Sequence, residues 1–141
     1  MSAVSGRPDV SGLEAPVDAW TQPFWDAARD HRLMFPSCAA CGRFRWPPGP
    51  FCPACHAQSV IWADAGEGFV FSYTIIPGKP QSDGAASPVL VPALIAFPDA
   101  GDVRLIAAVI DADVADIRID AKVAPVWVEA VGAVFPMFRL V

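Results

Sequence analysis

The sequence predicts a mainly β protein: an N-terminal helix, a small four-cysteine metal ribbon, then a five-stranded Greek-key barrel of the OB type. Three observations carry that expectation. The only four cysteines, Cys38, Cys41, Cys52 and Cys55, form two CxxC pairs with ten residues between them. From Val60 onward the apolar pattern takes the two-residue period of strands, broken by Gly, Pro and Asp turns. The third and fourth strands are joined by a longer connection, which fits a small Greek-key barrel; a five-strand sandwich is the alternative architecture.

Taken in order, residues 1–15 carry Ser2, Ser5, Gly6, Pro8, Ser11 and Gly12 without periodicity and read as a flexible tail. Helix and ribbon are expected over 16–62, and the barrel over 63–141. Thr21 can cap a helix with Pro23 in its first turn, and Phe24, Trp25, Ala28 and Leu33 recur at helical spacing. Leu33 to Pro36 leads straight into the first cysteine pair.

Each CxxC can fold as a tight knuckle that points two sulfurs at one centre, a geometry that suits tetrahedral Zn²⁺ first and iron second. Gly42 follows the first pair, where positive φ lets backbone N–H groups turn toward sulfur, and Pro53 stiffens the second turn. Four thiolates fill the coordination sphere, so the expected role of the metal is structural. His56 follows Cys55 directly but is not needed as a ligand. Phe44, Trp46 and Phe51 between the knuckles read as apolar cover, with base stacking as the less favoured alternative.

In the second half, Phe69, Phe71, Tyr73 and Ile75 alternate with their neighbours after Gly66 and Gly68, which are placed for a bulge or bend. Val89–Phe97 and Val103–Ile110 form a hairpin across Pro98, Asp99, Gly101 and Asp102, with Pro92 implying an edge or bulge position. The acidic stretch Asp111–Asp120 allows one helical turn around Val114 and Ile117. Val123–Val131 and Val134–Leu140 complete the strands. The loop from Pro77 to Pro88 carries Lys79, one of only two lysines, and loops of that length usually border function.

Composition narrows the function classes. A hydrophobic content of 54% against 18% charged residues is rich for so small a protein, which points to apolar surface covered by a partner. The net charge of −5 argues against a phosphate-backbone binder. With no secretory leader ahead of the cysteines, a cytoplasmic location is expected. His31 and His56 are the only histidines and neither has a nucleophile nearby in sequence, so no hydrolytic triad is legible. GEG at Gly66–Gly68 lacks the lysine and spacing of a phosphate loop. Asp111, Asp113, Asp116 and Asp120 lack the pattern of a calcium loop.

The order of parts is itself informative. PFWDAARDHRL, CAACG, WPP, CPAC, Trp62, GEGFVFSYTII, PVLVPALIAF and FPMFRL together resemble the acyl-CoA-associated family that joins a rubredoxin-like zinc ribbon to an OB-fold. The likeness runs from Pro16 to Val141. It implies one structural zinc on Cys38, Cys41, Cys52 and Cys55. It also implies an accessory role beside a thiolase-like aldolase, a thiolase or a hotdog-fold enoyl-CoA hydratase, with steroid side-chain breakdown among the settings. Gly49 and His56 depart from the basic residue and the glycine that often stand there. No catalytic residue is assigned. Arg43, Arg45 and Lys79 are candidates, from charge alone, for contact with CoA phosphates or the partner.

Overall fold

The computed structural model describes residues 3–79, 84 and 88–141. One helix, α1 (Gln22–Arg29), precedes a two-stranded antiparallel ribbon, β1 (Met34–Cys38) with β2 (Val60–Asp64). Five further strands follow: β3 (Gly68–Tyr73), β4 (Pro92–Phe97), β5 (Val103–Ala108), β6 (Lys122–Ala130) and β7 (Ala133–Leu140). They form one antiparallel sheet in the order β5-β4-β3-β6-β7. A parallel bridge from Val109 to Phe138, with Ile110 N–H donating to the Phe138 carbonyl at 2.7 Å, draws the two edges together. The result is the nearly closed five-stranded barrel of an OB-fold, as the sequence predicts.

The helix is shorter than its pattern. Thr21 occupies the N-cap position, but its hydroxyl accepts from Asp18 N–H and donates to the Pro16 carbonyl, so it makes no side-chain cap. Asp30 ends the helix, and His31 then takes a left-handed φ of 57°. Phe24 and Ala28 face inward. Phe24 meets Trp46 at 5.2 Å between ring centroids, Trp46 meets Phe35 at 4.8 Å, and Phe35 meets Phe97 at 5.0 Å. This run of edge and tilted ring contacts carries the core from α1 through the ribbon into the barrel, so ribbon and barrel share one apolar interior.

Two local expectations need correction. Pro92 lies on an interior strand, tolerated because it is the first residue of β4 and its missing N–H interrupts nothing further along. The register shift falls between Val70 and Ser72 rather than at the glycines, which leaves Phe71 turned outward with the Arg104 guanidinium 3.7 Å above its ring. Gly66 makes the bend, with φ +74°. Gly68 is required for another reason: a Cβ there would come within 2.9 Å of the Phe97 ring and 3.0 Å of Ile95. Gly68→Ala is expected to cost about 1–3 kcal/mol through overpacking, read as a lower thermal midpoint.

Residues 4–7 are tied to the fold. Ser5, 1% exposed, lies between Val89 and the Asp111–Asp113 segment. Its N–H donates to the Ala112 carbonyl and its hydroxyl accepts from Ala112 N–H. Arg7 pairs with Asp111 at 3.0 Å. One buried serine between Val4 and Gly6 makes no periodic pattern, so the sequence alone assigns this strap to a tail. The expected helical turn is present at Val114–Asp116, capped by Asp113. The Pro77–Pro88 loop falls largely outside the described residues.

Candidate metal centre and adjoining faces

The knuckles are built by backbone hydrogen bonds. Gly42 N–H donates to the Cys38 carbonyl, and His56 N–H donates to the Cys52 carbonyl, each at about the same point of its turn. Gly42 takes φ +80° and His56 φ +65°, so the same left-handed position is filled once by glycine and once by a residue that pays for it sterically. The strand pairing of Cys38 with Val60 places the chain leaving the second knuckle beside the first.

All four Sγ atoms lie within 4.8 Å of one another. Cys38 and Cys55 approach to 3.5 Å and Cys41 and Cys52 to 3.6 Å. A regular tetrahedron with Zn–S bonds of roughly 2.3 Å has sulfurs about 3.8 Å apart, so the cluster has the size of a four-thiolate zinc site. It can hold one metal ion, and all four thiols are free of disulfides. Backbone N–H groups of Cys41 and Ala40 lower the Cys38 thiol to about 6 against the opposing effect of burial. Those of Cys55 and Ala54 lower Cys52. Cys55 is eased down by the Ala57 N–H, yet the Cys38 sulfur and burial push it up to about 11 overall.

Metal loading must therefore displace a proton from Cys55 at any ordinary pH, and one from Cys38 only once the pH falls to about 6. The sign is that of proton competition: acid weakens the site. Competition with a chromogenic chelator is expected to show apparent affinity falling as pH drops from 8 toward 6, more steeply at the lower end.

The three candidate anion contacts separate. Arg43 is exposed on the first knuckle and Lys79 is exposed at the edge of the loop after β3. Arg45 is 4% exposed, and its guanidinium donates to the carbonyls of Gly49 at 2.9 Å and Ala57 at 3.1 Å. That corrects its assignment from charge: it stitches the second knuckle to the segment before it and offers no surface to CoA or a partner. Because a buried cation is removed together with both of its carbonyl contacts, Arg45→Met is expected to destabilise the ribbon by about 1.5–3 kcal/mol and to weaken metal binding, measured by chelator competition.

The sequence did not reveal an apolar cleft of about 280 Å³ between α1, the ribbon and the seam of the barrel. Trp25, Trp46, Pro47, Leu105, Ile106 and Phe135 line it, and Thr21 is its one polar residue. It lies beside β5 and β7, the edges of the sheet, which the Val109–Phe138 bridge draws together. Only the excess of apolar residues hinted at it.

A four-thiolate ribbon packed on an OB barrel defines a metal-ribbon protein whose metal has no open position for substrate. Comparison with known proteins agrees and is more specific. Residues 25–60 match the model "ChsH2, rubredoxin-like zinc ribbon domain", and residues 64–128 match "ChsH2, C-terminal OB-fold domain". Together these cover most of the chain, and it belongs to the ChsH2 family of zinc-ribbon and OB-fold proteins. A Thermomonospora curvata protein named "Probable enoyl-CoA hydratase alpha subunit" is 36% identical over 121 residues, which are 82% of this chain. The chain spans 36% of the length of that relative. Among solved structures, it is similar to a chain of "Ltp2-ChsH2(DUF35) aldolase" with TM-score 0.76 and 29% identity, over 90% of this chain and 98% of that one. A Sulfolobus solfataricus protein of the DUF35 family, at TM-score 0.63 and 19% identity over 89% of this chain and 87% of that one, shares the fold.

Proposed function

We propose that this chain is an accessory subunit of an acyl-CoA-processing complex, docking on a thiolase-like aldolase or thiolase and helping to shape its acyl-CoA site. The observation that carries this reading is the similarity to nearly the whole length of the chain from the Ltp2-ChsH2(DUF35) aldolase. In this reading Cys38, Cys41, Cys52 and Cys55 hold one zinc, which pins the knuckles and does no chemistry on substrate. When bound, zinc supplies folding energy and fixed sulfur positions. Carbon–carbon bond cleavage belongs to the partner.

The docking surface is assigned to the cleft beside Trp25, Trp46 and Phe135 and to Ile106 at its rim, where apolar area is open to a partner. Arg43 and Lys79, both exposed, are proposed from charge as contacts for CoA phosphates, and the proposed setting is steroid side-chain breakdown in the cytoplasm. No helix among the described residues is long and apolar enough to cross a membrane, and free thiols suit a reducing compartment. Boundaries at 16–62 and 63–141 for ribbon and barrel are proposed for dissection.

The relationship to the hydratase alpha subunit favours a second reading, an accessory module of an enoyl-CoA hydratase. Co-expression with thiolase-like and hydratase-like partners, followed by purification through a tag on this chain, separates the two. Recovery of neither would sink both. If Arg43→Ala and Lys79→Ala leave the acyl-CoA affinity of the complex unchanged, the phosphate contact is withdrawn. Metal analysis giving one zinc per chain excludes an iron electron carrier, and salt-insensitive failure to bind single strands excludes a nucleic-acid role.

A further inference from the structure

The four sulfurs of the cluster differ in their access to solvent. Cys38 and Cys52 are buried, Cys41 and Cys55 exposed, so each knuckle holds one sulfur inside and one outside. Two close sulfur contacts run between knuckles, and each joins an outer sulfur to an inner one: Cys55 to Cys38 at 3.5 Å and Cys41 to Cys52 at 3.6 Å. We infer that the ribbon is a modification site for hydroperoxides, which oxidise the outer sulfurs of Cys41 and Cys55 and leave Cys52 and Cys38 to resolve them as two disulfides between the knuckles, releasing the metal.

The chemistry balances with hydrogen peroxide as the oxidant. The Cys55 thiolate attacks one peroxide oxygen; an S–O bond forms, the O–O bond breaks and hydroxide leaves, so sulfur is oxidised and peroxide reduced. The Cys38 thiolate then attacks the sulfenic sulfur; the S–S bond forms, the S–O bond breaks and a second hydroxide leaves. Cys41 and Cys52 repeat the sequence. Four thiolates, one Zn²⁺ and two peroxides become two disulfides, free Zn²⁺ and four hydroxides, which take protons from the buffer. Zinc itself is redox-silent, so all the electrons come from sulfur.

Local backbone structure favours this pairing over disulfides within each CxxC. The Ala39 N–H bond to the Ser59 carbonyl, the pairing of Cys38 with Val60 and the Arg45 contacts to Gly49 and Ala57 tie the first knuckle to the chain around the second through groups other than the metal. Cross-links between knuckles keep that arrangement, so the oxidised ribbon retains its shape. Oxidation is then reversible by a thiol with zinc. The inference rests on the sulfur cluster and not on the partner, so a failed co-purification leaves it untouched.

The test uses the full chain loaded with one zinc. Hydrogen peroxide is added stepwise, zinc release is followed with a chromogenic chelator, and free thiols are alkylated before trypsin. Cleavage after Arg32, Arg43 and Arg45 puts Cys38 and Cys41 on one peptide and Cys52 and Cys55 on another. The expected result is loss of the zinc over about two equivalents of peroxide, with the two peptides recovered linked and fragment spectra placing the bonds at Cys38–Cys55 and Cys41–Cys52. Dithiothreitol and zinc then restore one metal per chain. Two separate peptides, each lighter by two hydrogens, would overturn the inference. So would linkage in the other sense, sulfinic acids without linkage, or zinc retained through excess peroxide.

Discussion

Cys52→Ser is expected to strip the chain of zinc and with it the order of the ribbon. Cys52 is fully buried, so a serine there can neither match the soft thiolate nor be replaced by solvent as a fourth ligand. Structural zinc contributes roughly 10–16 kcal/mol of apparent folding free energy in small ribbons. That equals or exceeds the whole stability of a typical domain, about 5–15 kcal/mol. The damage is not confined to the ribbon, because Phe35 and Trp46 sit in the aromatic run that ends at Phe97 and Phe138 inside the barrel. Metal analysis after gel filtration is expected to fall from one zinc per chain to none. The near-UV dichroism of Trp46 and Trp62 is expected to collapse, and the barrel to melt at lower temperature. A Cys52→Ser chain that keeps its zinc and its near-UV signal would show that the four sulfurs do not act as one site.

Why the ribbon was legible and its surroundings were not follows from the range of the interactions. Cysteine spacing, Gly42 and Pro53 act within a few residues, and a metal centre built that way is visible in a linear string. Strand alternation is equally local, so the five barrel strands and the β4–β5 hairpin could be placed before any contact was known. Ser5 is buried by Val89 and Ala112, more than eighty residues away in sequence, and nothing in its own neighbourhood signals that. Arg45 shows the opposite failure: charge suggested a surface contact, while the carbonyls of Gly49 and Ala57 that bury it are supplied by the turn that the metal organises. The β1–β2 pair is not legible in the sequence because the strand at Met34–Cys38 contains Pro36 and ends in the first cysteine of a knuckle. The cleft at the barrel seam exists only after α1 and β7 are packed, with Trp25 and Phe135 5.3 Å apart between ring centroids.

That cleft is where a single substitution should separate folding from assembly. Ile106 projects from the outer face of β5 with 76% of its surface exposed, bordering both the Trp25–Phe135 cleft and the neighbouring face of Leu94, Pro92 and Tyr73. In the free chain an aspartate at that position stays solvated, so Ile106→Asp is expected to change stability by no more than about 0.5 kcal/mol. Against a docked thiolase-like subunit the same carboxylate would be buried without a partner, a cost of about 3–5 kcal/mol. The dissociation constant should then rise by roughly two to four orders of magnitude. The thermal midpoint and zinc content of the purified variant establish that the fold is intact, and co-purification with the partner reads out the docking. An Ile106→Asp chain that melts normally and still recovers the partner in full would place the interface elsewhere on the barrel. A variant that melts normally but loses the partner would tie the exposed apolar rim to assembly, and would explain why so small a protein carries so little charge.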